Sequence, residues 1–197
     1  MKKLSEYQAI IVDLDGTLYY QQPVRLAMLI EMLLHFWRFP EFLIVQKYRE
    51  LYEQGLSEQD RMCRLPNNAP RIIHEWMIER PLKYVQKYRD QQLIGLLQAA
   101  EKAGIIVIVY SDYPVLEKLV ALDYNPNKAL SAIDTGCLKP DISGLTSILE
   151  SLGIIPQSCL VIGDRREKDG VLSERLGADY IILPKENRNK LYQSIQI

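Results

Sequence analysis

Four short apolar runs, each ending where polar chemistry begins, constrain this chain more than any other feature. Ala9-Ile10-Ile11-Val12 stops at Asp13, and Ile105-Ile106-Val107-Ile108-Val109 leads into Ser111-Asp112. Cys159-Leu160-Val161-Ile162 closes on Gly163-Asp164, and Tyr180-Ile181-Ile182-Leu183 meets Pro184. Unbroken β-branched runs of this length fit strands covered on both faces, as in a parallel sheet. Helical patterns separate them at 93–103, 114–122, 142–152 and 168–176, with Gly153 and Gly177 as stops. Alternating strand and helix predicts an open α/β sheet with right-handed crossovers.

Residues 20–90 have a different texture. Leu26, Leu29, Ile30, Leu33, Leu34 and Trp37 recur at helical spacing, as do Phe42, Val45, Tyr48 and Leu51. Ile72, Ile73, Trp76 and Met77 continue the pattern, followed by Leu82, Val85 and Tyr88. Pro40, Gly55, Pro66, Pro70 and Pro81 punctuate it, and no strand pattern occurs. The reading is a helical insertion after the first strand, with residues 1–19 and 91–197 forming the sheet domain. The tyrosines and both tryptophans, Trp37 and Trp76, are expected mostly to pack inside these helices.

Composition narrows the function classes. The 197 residues, 48% hydrophobic, suffice for a buried core without a staple. Lys and Arg number 24 against 25 Asp and Glu, a net charge of -1, which argues against coating nucleic acid or an anionic membrane. Cys63, Cys137 and Cys159 form no C-x-x-C pair, so neither a disulfide framework nor a zinc site is expected. Cys137 and Cys159 read as small buried fillers. Met1-Lys2-Lys3 is followed by no apolar stretch, and the stretch 26–37 is too short to span a bilayer, so a cytoplasmic setting is expected.

In an open α/β sheet, ligands bind beyond the carboxyl ends of the strands. That edge collects Asp13-Leu14-Asp15-Gly16-Thr17, Ser111-Asp112 and Gly163-Asp164, with Lys139-Pro140-Asp141 and Asp169 nearby in order. Several carboxylates, two hydroxyls and one ammonium suit a divalent cation and a phosphate. Mg²⁺ takes oxygen ligands and shares a few carboxylates with a phosphate. Asp13 and Asp164 supply that charge. A carboxylate also attacks phosphorus, and Asp15 is placed to protonate the leaving alcohol and then deprotonate water. Thr17, Ser111 and the backbone around Gly16 suit the phosphoryl oxygens, while Lys139 offsets the crowded negative charge.

These same residues carry a resemblance to the haloacid dehalogenase (HAD) superfamily of phosphohydrolases. Asp13-Leu14-Asp15-Gly16-Thr17 is similar to its D-x-D-G-T motif, Ser111 to its second motif and Lys139 to its third. Gly163-Asp164-Arg165-Arg166-Glu167-Lys168-Asp169 is similar to its fourth, G-D-x-x-x-x-D. The resemblance implies a Rossmann-like core with a helical C1 cap at 20–90, as in phosphoglycolate phosphatase-like enzymes. It implies Asp13 as nucleophile, Asp15 as acid/base, and Mg²⁺ held by Asp13, the Asp15 carbonyl and Asp164. Asp169 would support the metal or pair with Lys139. Thr17, Ser111, Asp112 and Lys139 would contact the phosphoryl group of a small phosphorylated substrate.

Plainer roles stand beside these. Ser111 and Asp112 precede Pro114 and suit helix N-capping. Asp169 suits the first turn of a helix. His35 and His74 read as packed or solvated helix residues, and Arg61, Arg64 and Arg71 as a solvated face, with contact to an anionic substrate as the alternative. An EF-hand fails at Leu18 and Val24, and neither G-x-x-x-x-G-K-[ST] nor G-x-S-x-G occurs. The leading expectation is a Mg²⁺-dependent phosphatase. The alternatives are a sugar-phosphate mutase of the same superfamily and a non-catalytic binding or regulatory protein; a dehalogenase is less expected because Asp15 is present.

Overall fold

A computed structural model describes residues 3–185 and 187–194. The charged start at Met1-Lys2 lies outside the described residues. Along the chain, β1 (Ala9–Val12) is followed by α1 (Gln21–Leu34), α2 (Phe39–Glu53), α3 (Glu58–Cys63) and α4 (Ala69–His74). A π-helical turn, Glu75–Glu79, joins α4 to α5 (Arg80–Lys87). Then come α6 (Gln91–Lys102), β2 (Ile106–Ser111), α7 (Leu116–Leu122), β3 (Lys128–Ser131), α8 (Ala132–Thr135) and α9 (Ser143–Ser151). The series ends with β4 (Cys159–Gly163), α10 (Val171–Leu176), β5 (Asp179–Ile182) and α11 (Arg188–Ser194).

The five strands form one parallel sheet in the order β3-β2-β1-β4-β5. This is the α/β, Rossmann-like architecture. Ala9 faces Ile106 on one side and Cys159 on the other, and Val12 faces Val109 and Ile162. That register brings the carboxyl ends of β1, β2 and β4 level. The chain leaves β1 toward β2 and β3, then returns to its other side for β4, so the topological switch point lies beside β1. Every residue of β1 and β4 is buried, the condition that a run without polar alternation requires. Ile11, Ile108, Tyr110 and Val161 pack with Leu145 and Leu149 of α9 and Leu172 and Leu176 of α10.

The strand β3 is one the sequence reading missed. Lys128-Ala129-Leu130-Ser131 lacks a β-branched run because it is an edge strand, and only Ser131 is fully buried. The C-terminal α11 was missed as well. The cap expected of Ser111 or Asp112 is not made: α7 starts at Leu116, and its N-cap, Val115, offers no side-chain bond.

The chain divides into two compact units, residues 1–21 with 89–197, and residues 22–88. Among the described residues the regular secondary structure of the second unit is all helical, with turns at 54–57 and 64–68. Val45, Ile72 and Trp76 form its core, with Met28, Met32, Ile44 and Met77 packed around them. An ionic network surrounds this core. Glu75 accepts from Arg38 and Arg80, Glu31 accepts from Arg80 and Tyr84 and pairs with Lys83, and Trp76 Nε1 donates to Glu41 at 2.7 Å. Arg38 and Arg80 also lie 5.3 and 4.6 Å from the Trp76 ring centroid. Arg61, expected on a solvated face, is instead buried over Tyr48 and Tyr52.

The helix expected from Leu26 to Leu34 forms, but its apolar stripe does not face that core. Leu26, Leu29, Ile30, Leu33 and Leu34 are exposed, and Trp37, expected to pack, is 64% exposed. Met28 and Met32 supply the inward face instead. Cys137 is only half-buried, whereas Cys159 is buried, and all three thiols are free.

Candidate active site

Asp13 follows β1 directly. Its N–H donates to Ile162 O at 2.9 Å, extending the ladder by one residue and fixing the carboxylate above the switch point. The chain then turns sharply, with Thr17 N and Leu18 N donating back to Leu14 O. Gly16 has φ +93°, and a Cβ there would collide with the Asp164 carboxylate. This turn is braced from the C-terminal helix. Arg188 donates to Gly16 O at 2.5 Å, Thr17 O at 2.9 Å and Asp90 Oδ2 at 3.1 Å.

Lys139 lies at the centre of the site. Its Nζ donates to Asp13 Oδ1 at 2.5 Å and Asp169 Oδ1 at 2.7 Å, with all three side chains almost wholly buried. Asp112 holds the strap that carries Lys139. Its Oδ1 accepts from Lys139 N at 2.9 Å, and its Oδ2 accepts from Lys168 Nζ at 2.5 Å. Asp169 comes from the π-helical turn Arg166–Gly170, and its Oδ2 accepts from Arg165 N at 3.2 Å. Gly163 matters here because a Cβ would occupy the space of the Asp169 carboxylate.

Carboxylate oxygens of Asp13, Asp164 and Asp169 lie within 4.8 Å of one another. Asp164 Oδ1 is buried and accepts no hydrogen bond, although Arg165 Nε stands 3.8 Å away. A buried carboxylate oxygen without a donor is costly unless a cation completes it. An all-oxygen donor set with such an orphan fits a hard divalent ion. Burial, reinforced by Asp169, pushes the Asp13 carboxyl up against the opposing pull of Lys139. Burial also raises Asp164. Asp15 is different. Burial would raise it, but Lys118 and Tyr19 hold it below the ordinary carboxylate range.

The structure therefore brings Asp13, Lys139, Asp164 and Asp169 into one cluster. Asp15 stands beside it, accepting from Lys118 Nζ at 2.5 Å and from the Tyr19 hydroxyl. Thr17 is fully buried and its hydroxyl donates to Asp13 Oδ2 at 3.2 Å, so the side chain orients that carboxylate. Both carboxylate oxygens of Asp112 are likewise turned to lysine donors. Ser111 is buried at the end of β2, and its Oγ accepts from Tyr113 N at 3.3 Å. Lys118, Tyr19 and Arg188 escaped the sequence reading. Lys118 was the most accessible of them, being a lysine in the first turn of the helix that follows β2, where that helix meets the ligand edge.

A parallel sheet with a carboxylate cluster at its switch point gives an α/β fold with a candidate cation site, and comparison with known proteins places it. The haloacid dehalogenase-like hydrolase profile matches residues 7–170, and the chain belongs to that family. The chain is similar in fold to YfnB of Bacillus subtilis, described as a HAD-hydrolase and bound to magnesium. The two share 15% identity, with all of each chain covered and a TM-score of 0.63. It is also similar to a Lactobacillus delbrueckii protein described as a phosphoglycolate phosphatase (16% identity, 97% and 99% covered, TM-score 0.58). CbbY of Rhodobacter sphaeroides, solved with xylulose 1,5-bisphosphate, shares 18% identity over 92% and 90% of the chains, with a TM-score of 0.61. No curated protein matches the sequence significantly.

Proposed function

We propose that this HAD-type phosphatase is a Mg²⁺-dependent phosphomonoester hydrolase acting on a small phosphorylated metabolite through an aspartyl-phosphate. The observation that carries the reading is the cluster of Asp13, Asp164 and Asp169 around the Lys139 ammonium, with one Asp164 oxygen left without a donor. Asp13, the Asp15 backbone carbonyl and Asp164 are assigned to the metal, with Asp169 supporting from behind Lys139. A divalent ion there supplies charge neutralisation to the phosphoryl oxygens.

A carboxylate oxygen of Asp13 attacks phosphorus, forming the Asp–O–P bond as the P–O bond to the alcohol breaks. Asp15, which Lys118 and Tyr19 keep ionised beforehand, takes up the proton of the incoming phosphate monoanion and gives it to that alcohol. It then takes one from water, which attacks phosphorus, breaks the Asp–O–P bond and returns Asp13 as a carboxylate. Lys139 holds positive charge beside the attacking carboxylate throughout, and Ser111 is assigned to a phosphoryl oxygen. Thr17 and Asp112 act one step back, orienting Asp13 and the Lys139 backbone. Lys118 and Tyr19 hold Asp15 until the leaving oxygen replaces one of them. The helical unit 22–88 is assigned the cap role, which selects the leaving group.

The test is hydrolysis of p-nitrophenyl phosphate with Mg²⁺. Activity is expected to vanish with chelator and in Asp13→Asn. Turnover that survives Asp13→Asn removes the nucleophile from this scheme.

A further inference from the structure

The second unit carries an apolar face that its own fold leaves uncovered. A helix apolar on all sides belongs in an interior. In α1, Val24, Met28 and Met32 turn inward, yet the opposite stripe is leucine and isoleucine throughout. The face continues around the corner after α1. Phe36 is 73% exposed and Trp37 64%, their rings edge to face at 5.6 Å, with Phe39 and Leu43 beyond. Nine exposed large apolar side chains fall between residues 26 and 43. At roughly 100 Å² each they make a face of about 900 Å², well above the few hundred Å² that a monomer ordinarily exposes.

We propose that this face is the contact surface of a homodimer, paired with the same face of a second copy of the chain. Area is the first argument. Two such faces would bury roughly 1,800 Å² together, the size of a standard stable interface. Charge is the second. The outward stripe of α1 bears no carboxylate, and its one exposed charge, Arg25, stands at the N-terminal end of the face a turn before Leu29, so self-pairing has a single cation per copy to keep apart. Arg38 at the corner is already bound to Glu41 and Glu75. A lipid surface fits less well. Interfacial helices present lysine and arginine on the face behind their apolar one. Here α1 contains a single basic residue, Arg25, and its reverse face is seated in the core of the unit. The aromatic corner supplies the anchors, with Trp37 and Phe36 the residues of the type that dominate interface energetics.

The experiment is light scattering after size exclusion over a dilution series of the full chain, from hundred-micromolar to micromolar. The wild-type protein is expected at twice the chain mass. Leu33→Glu and Trp37→Glu are each expected to weaken the dimer on the order of 30-fold or more, with unchanged circular dichroism. A second readout needs no destabilising variant. Of the two tryptophans, Trp76 is buried, so in a dimer acrylamide quenches little of the wild-type emission, and quenching rises on dilution. A monomer at every concentration overturns the proposal, as does a dimer untouched by both substitutions. A monomer that sediments with phosphatidylcholine vesicles overturns it in favour of a bilayer.

Discussion

Removal of the Lys139 ammonium tests how the acidic cluster is held together. The Nζ lies 2.5 Å from Asp13 and 2.7 Å from Asp169, and the side chains of all three are 2% exposed or less. In Lys139→Ala two carboxylates stay in that interior without their shared cation. Breaking a buried pair by deleting one partner costs about 3–5 kcal/mol, because the surviving charge is left uncompensated. Against a typical total stability of about 5–15 kcal/mol, that loss leaves the sheet domain marginal. Urea unfolding at neutral pH with chelator present, followed by circular dichroism, reads it directly. Adding Asp169→Asn to Lys139→Ala removes one orphaned charge and is expected to recover about 1 kcal/mol or more, a coupling within the range for residues in contact. A loss below about 1 kcal/mol in Lys139→Ala, or no recovery in the double variant, refutes the account of Lys139 as the neutralising centre.

Two more outcomes follow from the same geometry. Lys118→Met frees Asp15 from its ammonium partner, so turnover of p-nitrophenyl phosphate is expected to fall about 10- to 100-fold in protein that circular dichroism shows folded, with a lower thermal midpoint because a nearly buried carboxylate loses its cation; an unchanged kcat rejects the positioning role. In the helical unit, burial would raise Glu31, but Lys83, Tyr84 and Arg80 draw its carboxyl down to about 2 from the ordinary 4.5. A carboxyl lowered by folding stabilises above its unfolded value. That contribution, on the order of 1 kcal/mol after solvent screening, is lost as pH falls from about 4.5 toward 2. Glu31→Gln is therefore expected to flatten the acid limb of the thermal midpoint, and an unaltered limb excludes Glu31 as a source.

The sheet was legible because its central strands are buried on both faces and must be written in apolar β-branched residues. Ala9–Val12 and Cys159–Gly163 announce themselves for that reason. Lys128–Ser131 does not, since an edge strand tolerates lysine and alanine. The acidic residues of the site were legible as motifs at strand ends, where spacing along the chain is local. Their supports were not. Lys118 and Arg188 act on Asp15 and the Gly16 turn from distant parts of the chain, Arg188 across most of its length, while Tyr19 is only four residues from Asp15 and reads in the sequence as one packing aromatic among many.

What the residues alone determined is periodic: where the chain is β, where it is helical, and which strand ends carry carboxylates. Apolar burial and hydrogen-bond periodicity are short-range constraints, and they leave a record in adjacent letters. The tertiary structure decided which hydroxyls and carboxylates turn inward, as Thr17 and Asp112 do, and which side of α1 meets the core. A helix with apolar residues on both sides, even with Glu31 on the inner one, states that both prefer to leave water. It does not state which one its own chain will cover, because that depends on volumes contributed by Val45, Ile72 and Trp76 from elsewhere in the sequence.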